Sequence, residues 1–211
     1  MMQTFMAAPV ASVIFIITIL TSLMAFSNEE LLSKFILHPY TVYRKKNIYT
    51  LFTSGLIHND WMHLIFNMFS YFFFAFNLEP IIGHWQFAVL YIVSLAASDL
   101  PTIFKHKDDY RYHSLGASGA VSAVIFGSIL YNPWATMMIL PIPIPIWYFA
   151  FGVLYLVYCH YAARYSRDNV NHDAHLFGAI CGLALTIILH PSVVHSFFQQ
   201  ISEGAKYHLH F

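Results

Sequence analysis

Of the polar residues inside the apolar stretches, six call for explanation: His63, Asn67, Ser118, Ser122, His160 and His175. Burying such groups costs free energy unless they find partners, so each asks for a bond or a task. Ser118 lies in Gly116-Ala117-Ser118-Gly119, and His175 in Ala174-His175-Leu176-Phe177-Gly178; each opens an apolar run. A hydroxyl within reach of a neutral imidazole is the pairing that nucleophilic attack with general-base help requires. The first turn of a helix leaves backbone N–H groups unpaired at the positive end of its dipole, which suits a developing oxyanion. Gly116 and Gly119 leave room for another backbone to approach the hydroxyl. His63 and Asn67 are four apart and project from one helix face, so both can donate to the same point. The bland readings stay open: Gly-Ala-Ser-Gly also fits a small-residue patch where membrane helices touch, and a lone interfacial His or a helix-bonded Asn is ordinary. His58, five residues before His63, falls off that face and reads as a loop anchor.

Asp173 invites a triad, but Asp173 or Asn171 is better placed to cap the helix that His175 opens. Gly178 and Gly182, four apart, form a groove on that helix for close packing. His172-Asp173-Ala174-His175 suggests a metal at first sight. There is no His-Glu-x-x-His and no acidic cluster within the apolar runs, so no metal and no cofactor are expected. Cys159 and Cys181 lack the spacing of a disulfide framework or zinc site. His160, His190, His195, His208 and His210 stand without a constellation around them and receive no chemistry.

The elements that must hold these residues are membrane helices. Apolar residues make up 58% of 211 positions and charged residues 9%, too little polar surface for a domain in water. Apolar runs recur at 7 to 26, 61 to 78, 81 to 97, 115 to 131, 144 to 163 and 174 to 190, each about one bilayer core in length. Trp61, Trp85, Trp134 and Trp147 stand at the ends of runs, where indole rings settle among headgroups. Helices that alternate in direction bring the starts of the second, fourth and sixth runs, hence His63, Ser118 and His175, to one side at shallow depth. The first run has no preceding Lys or Arg and reads as a retained helix rather than a signal peptide. Residues 27 to 60 form the one long connection and carry Phe35, Tyr40, Ile48, Leu51 and Phe52, as expected for a loop lying in the membrane surface. Pro133, Pro141, Pro143 and Pro145 predict a turn at the interface before the fifth helix. Residues 191 to 211 place Val193, Val194, Phe197, Phe198 and Ile201 at helical spacing, an interfacial amphipathic tail. Residues 1 to 211 read as a single transmembrane domain, and scattered basic residues give no nucleic-acid footprint.

His58, His63 and Asn67, then Gly116-x-Ser118-Gly119, then Ala174-His175-x-x-Gly178-x-x-x-Gly182, resemble the signature of the rhomboid intramembrane serine proteases, in order. Glu79, Gly83, Tyr91 and Arg44 extend the resemblance. It implies an all-α polytopic membrane protein, a six-transmembrane-helix rhomboid-like bundle with a membrane-embedded first loop. It also implies a Ser118–His175 dyad without a third catalytic residue, and an oxyanion hole from His63, Asn67 and the Ser118 backbone N–H. Gly116, Gly119, Gly178, Gly182 and His58 would support it. Substrates would be membrane proteins cut in or beside a transmembrane helix within the lipid bilayer. Two positions depart from the family: Tyr43-Arg44 stands where many relatives carry Trp-Arg, and Ser122 stands where some place an aromatic ring against the catalytic histidine. That contact is left to a Tyr or Phe from another helix.

Nine of the ten Lys and Arg, all but Lys206, fall in the first, third and fifth loops. The positive-inside rule turns that side to the cytoplasm, whereas bacterial members of the family are similar to one another in opening outward; a bacterial inner membrane with the family's orientation is the expectation. Two other functions compete. A catalytically silent rhomboid-like protein would bind or escort membrane proteins, but such relatives usually lack the serine or the histidine. A transporter would place its polar residues at mid-depth rather than at one shallow level.

Overall fold

The computed structural model describes residues 2–139 and 144–208. A short helix α1 (Met2–Ala7) leads into α2 (Pro9–Ala25), and the first loop winds through α3 (Glu29–Phe35), α4 (Pro39–Tyr43), α5 (Thr50–Thr53) and a 3-10 turn at Ser54–Leu56. Then come α6 (Trp61–Ile82), α7 (His84–Ser98), α8 (Leu100–Lys105) and α9 (Ser118–Tyr131). A hairpin of β1 (Thr136–Ile139) and β2 (Ile144–Trp147) precedes α10 (Tyr148–Tyr165), α11 (His172–Leu189) and α12 (Ser192–His208).

Local chemistry sets the boundaries. Asp60 starts α6 by accepting the N–H of His63 at 2.8 Å, and Asn171 starts α11 by accepting that of Ala174 at 3.1 Å. The break between α6 and α7 falls on Gly83, whose φ of +93° only glycine adopts easily. Glu79 is fully buried one turn earlier and receives the Val10 and Ala11 N–H groups, at 3.1 and 2.6 Å, together with His84 Nδ1 at 2.6 Å. The donors that open α2 are thereby satisfied far from water.

Tyr71, Leu78, Phe87, Leu90 and Val124 are fully buried, while Ile65, Phe66, Phe69 and Phe73 of α6 and Val153, Leu154 and Val157 of α10 face outward. A wall that is apolar inside and out belongs in lipid. Among the described residues, Trp61–Ile82, His84–Lys105 and His172–Leu189 are long and apolar enough to cross a membrane, and Pro9–Ala25 and Ser118–Tyr131 are shorter apolar helices. The chain is a polytopic helical bundle. α9 has 14 residues, about 21 Å of helix against a hydrocarbon core of about 30 Å, so one of its ends stops below the membrane surface. Backbone at that depth needs protein partners, and the segment before α9 has them. Ser114 and Leu37 exchange two backbone bonds of 2.9 Å, Gly116 N–H reaches Ser54 O at 2.9 Å, and Ala117 N–H approaches His58 Nε2 at 3.5 Å.

The boundaries differ from the sequence expectation in instructive ways. α6 runs to Ile82 rather than 78, and α9 begins at Ser118 rather than 115, because Gly116 has φ +111° and cannot be helical. The expected helix at 144 begins only at Tyr148. Ile144–Trp147 instead pairs antiparallel with Thr136–Ile139, Met138 opposite Pro145. Short apolar runs do not distinguish strand from helix, and Pro145 has no N–H to give a helix. The turn expected at Pro141 and Pro143 lies outside the described residues. α12 docks on the bundle: Val193 is buried, Phe197 meets the ring of Phe149 at 6.1 Å, and Trp134 Nε1 donates to Gln200 O at 2.9 Å.

Candidate functional site

The backbones of α9 and α11 touch. A side chain at Gly178 would overlap the carbonyl of Gly119, one at Gly182 would overlap that of Ala123, and a Cβ at Gly119 would lie 3.3 Å from Ala174 O. Of the two readings taken from the sequence, a packing patch or room at a nucleophile, these contacts are those of the packing patch. Ser118 directly precedes Gly119, and His175 directly follows Ala174, so both flank the same crossing. Ser118 and His175 are each half-buried.

A second link joins them. Ser122 Oγ donates to Ser118 O at 2.8 Å and bonds Tyr155 Oη at 2.6 Å, and the Tyr155 ring stacks on the His175 imidazole with centroids 6.4 Å apart and planes at 27°. The aromatic contact missing one turn after Ser118 is thus supplied by α10, and Ser122 holds the ring's hydroxyl. Sequence reasoning left this ring unassigned; the signal was there as a helical stripe of Gly152, Tyr155 and Cys159, the inward face of α10.

The remaining expected residues divide into two groups. His63 closes on the loop before Ser118: a Cβ at Gly116 would stand 2.6 Å from His63 Cε1 and 2.7 Å from Nε2. Gly116 is therefore fixed by conformation and by contact alike. Asn67, buried on the same face of α6, donates Nδ2 to His63 O at 3.0 Å, while its Oδ1 is buried with no partner among the described residues. A second amide hydrogen is left to donate. His58 is an anchor instead. Its Nε2 accepts from Ala117, its Nδ1 lies 2.9 Å from Ser22 Oγ, and Ser22 Oγ is 3.0 Å from Leu56 O. Burial, then the neighbouring His63, push the His58 imidazole down to about 3, so this relay runs through a neutral ring.

Asp173 pairs with Lys105 at 2.6 Å. The helix cap is Asn171, which does more than the sequence suggested: Oδ1 also accepts from Thr102 Oγ1 at 2.9 Å, and Nδ2 donates to Ser114 Oγ at 3.1 Å. One side chain thereby ties α8, the segment before α9 and the start of α11. Arg44 similarly joins first and third loops, donating to Tyr40 O at 2.9 Å and Lys107 O at 2.6 Å.

A polytopic bundle with a serine at the start of a buried central helix and a histidine on the helix packed against its backbone is the class of membrane protein these features define. The chain belongs to the rhomboid family: the model of the rhomboid domain matches residues 45–192. It is 30% identical over 146 residues to "Putative rhomboid protease YdcA" of Bacillus subtilis (strain 168), covering 65% of each chain. It is 26% identical over 152 residues to "RHOMBOID-like protein 12, mitochondrial" of Arabidopsis thaliana, covering 65% of this chain and 45% of that protein. The chain therefore spans less than two thirds of the length of either relative.

Proposed function

We propose that this protein is an intramembrane serine endopeptidase that cuts transmembrane segments of other membrane proteins with a Ser118–His175 dyad. The observation that carries the reading is the glycine-lined crossing of α9 and α11, with Tyr155 stacked on His175 and hydrogen-bonded through Ser122 to the Ser118 backbone. In the reaction, Ser118 Oγ bonds to the substrate carbonyl carbon while His175 takes the hydroxyl proton. The carbonyl π pair moves onto oxygen, where the Ser118 N–H, His63 and Asn67 donate to it. Collapse expels the amine, which leaves with the proton from His175; water then repeats the sequence and frees the acid. Asp173 and Asp168 are engaged with Lys105 and His172, in keeping with a dyad.

The substrate would be a membrane protein whose helix carries small residues and unwinds readily, because a peptide bond in an intact helix is shielded. The protein would reside in the lipid bilayer of a bacterial inner membrane, with the first loop embedded in one surface and α12 in the interface. Labelling of the purified protein by a fluorescent fluorophosphonate tests the dyad. Wild type is expected to label, and Ser118→Ala and His175→Ala are not. A folded wild type that never labels in lipid overturns the reading.

A further inference from the structure

Near His175, on the side of α10, three ligand-bearing side chains converge. Cys159 of α10 is fully buried, His172 opens α11 at 4% exposure, and one donor atom from each of Cys159, His172 and His175 lies within 4.8 Å of the other two. His172 is the telling member. Its Nε2 sits 3.0 and 3.1 Å from the two carboxylate oxygens of Asp168, so that nitrogen carries the hydrogen. Its Nδ1 then holds a lone pair, and that atom is buried with no hydrogen-bond partner among the described residues. A buried acceptor left unpartnered costs free energy. A carboxylate fixing the tautomer of a buried histidine whose other nitrogen is free is also the arrangement that orients metal-bound histidines.

We infer that Cys159, His172 and His175 form a binding site for a borderline-soft divalent ion of the zinc type, which silences the enzyme by occupying its general base. The donor set is one thiolate and two imidazoles. It suits zinc and excludes magnesium and calcium, which want oxygen. Zinc bond lengths place tetrahedral ligand atoms about 3.5 Å apart, so the trio closes by about 1 Å at its widest pair, within reach of side-chain rotation. On binding, the Cys159 thiol releases its proton to water and the His175 lone pair enters the metal bond. An imidazole so engaged cannot take the Ser118 proton. The fourth position stays open to water, as in a site that exchanges its ion. The linear motifs that argued against a metal did not reveal this trio, because Cys159 comes from a different helix and lies 13 positions before His172.

The inhibitory part rests on the proposed dyad; the binding part does not, and the experiment separates them. Metal-stripped protein in detergent is titrated with zinc while fluorophosphonate labelling is followed, and cobalt is bound in parallel to read the thiolate-to-cobalt charge-transfer band. Zinc is expected to slow labelling of wild type at one ion per chain, and Cys159→Ser is expected to label normally without metal yet resist zinc. Asp168→Asn should raise the zinc needed by about tenfold or more. The band should be present in wild type and absent in Cys159→Ser, although Cys181 and the other histidines remain. Equal zinc sensitivity of wild type and Cys159→Ser, or a band that survives the substitution, overturns the site. A Cys159-dependent band in a protein that never labels would uphold the metal site and overturn the protease reading instead.

Discussion

Helices α9 and α10 are separated only by the hairpin, yet every residue of α9 from Gly119 to Leu130 is buried, whereas α10 buries only Gly152 and Cys159. The buried helix opens with Ser118, the proposed nucleophile, and has backbone against its glycine contacts; the exposed one contributes through a few side-chain tips. The difference shows how the bundle divides its work. Position is fixed where main chains touch, and orientation of the imidazole is added from a helix whose outer face meets lipid.

Glycines provide the sharpest way to break this comparison. At Gly178 an added side chain meets the Gly119 backbone, which cannot yield, whereas at Gly152 of α10 it meets the tip of Ile129. Gly178→Leu is expected to cost about 3 kcal/mol or more and to abolish labelling, with Gly152→Ala near neutral; thermal unfolding in detergent checks both. Next in size is the response to acid. His58 is neutral in the folded protein with its pKa lowered to about 3 from 6.5, so the unfolded chain takes up a proton that the native one refuses. Stability is full above about pH 6.5 and falls progressively toward pH 3. His58→Asn should flatten that slope in melting curves recorded against pH.

Asn171→Ala removes a cap and two further bonds and is expected to cost about 1–2 kcal/mol, visible as a lower melting temperature. Tyr155→Leu removes the ring from His175 and should slow labelling by about 3- to 10-fold. Tyr155→Phe keeps the ring and should restore most of the rate. A positioning role also predicts that the pH midpoint of labelling moves in Tyr155→Leu and not in Tyr155→Phe; a change in melting temperature alone would reduce Tyr155 to packing. At the small end, Lys34→Ala breaks only an exposed pair with Glu30 and should change stability by less than about 0.5 kcal/mol.

Much of the candidate site's arrangement was legible in the chain because it follows local spacing. Gly116, Ser118 and Gly119 lie within four positions, His63 and Asn67 are one turn apart, and Gly178 and Gly182 repeat by four. Tyr155, the bonds of Asn171 to Thr102 and Ser114, and the Cys159–His172 pair were harder to see, since they are contacts between elements that no spacing records. Tyr155 and Cys159 also sit in a run crowded with Tyr158, Tyr161 and His160, where aromatic and polar residues alone do not mark the inward stripe. The hairpin was missed because a four-residue apolar run that includes a proline fits either element.

Glu79 has a consequence for synthesis. The N–H groups it receives belong to residues 69 and 68 positions earlier, so the ribosome delivers the start of α2 well before the carboxylate that completes it. The bonds that satisfy the start of α2 can form only after most of α6 has been made. Assembly of this bundle thus has a built-in order, with the start of α2 waiting for a partner that emerges near the end of the next spanning helix, at the end remote from Ser118.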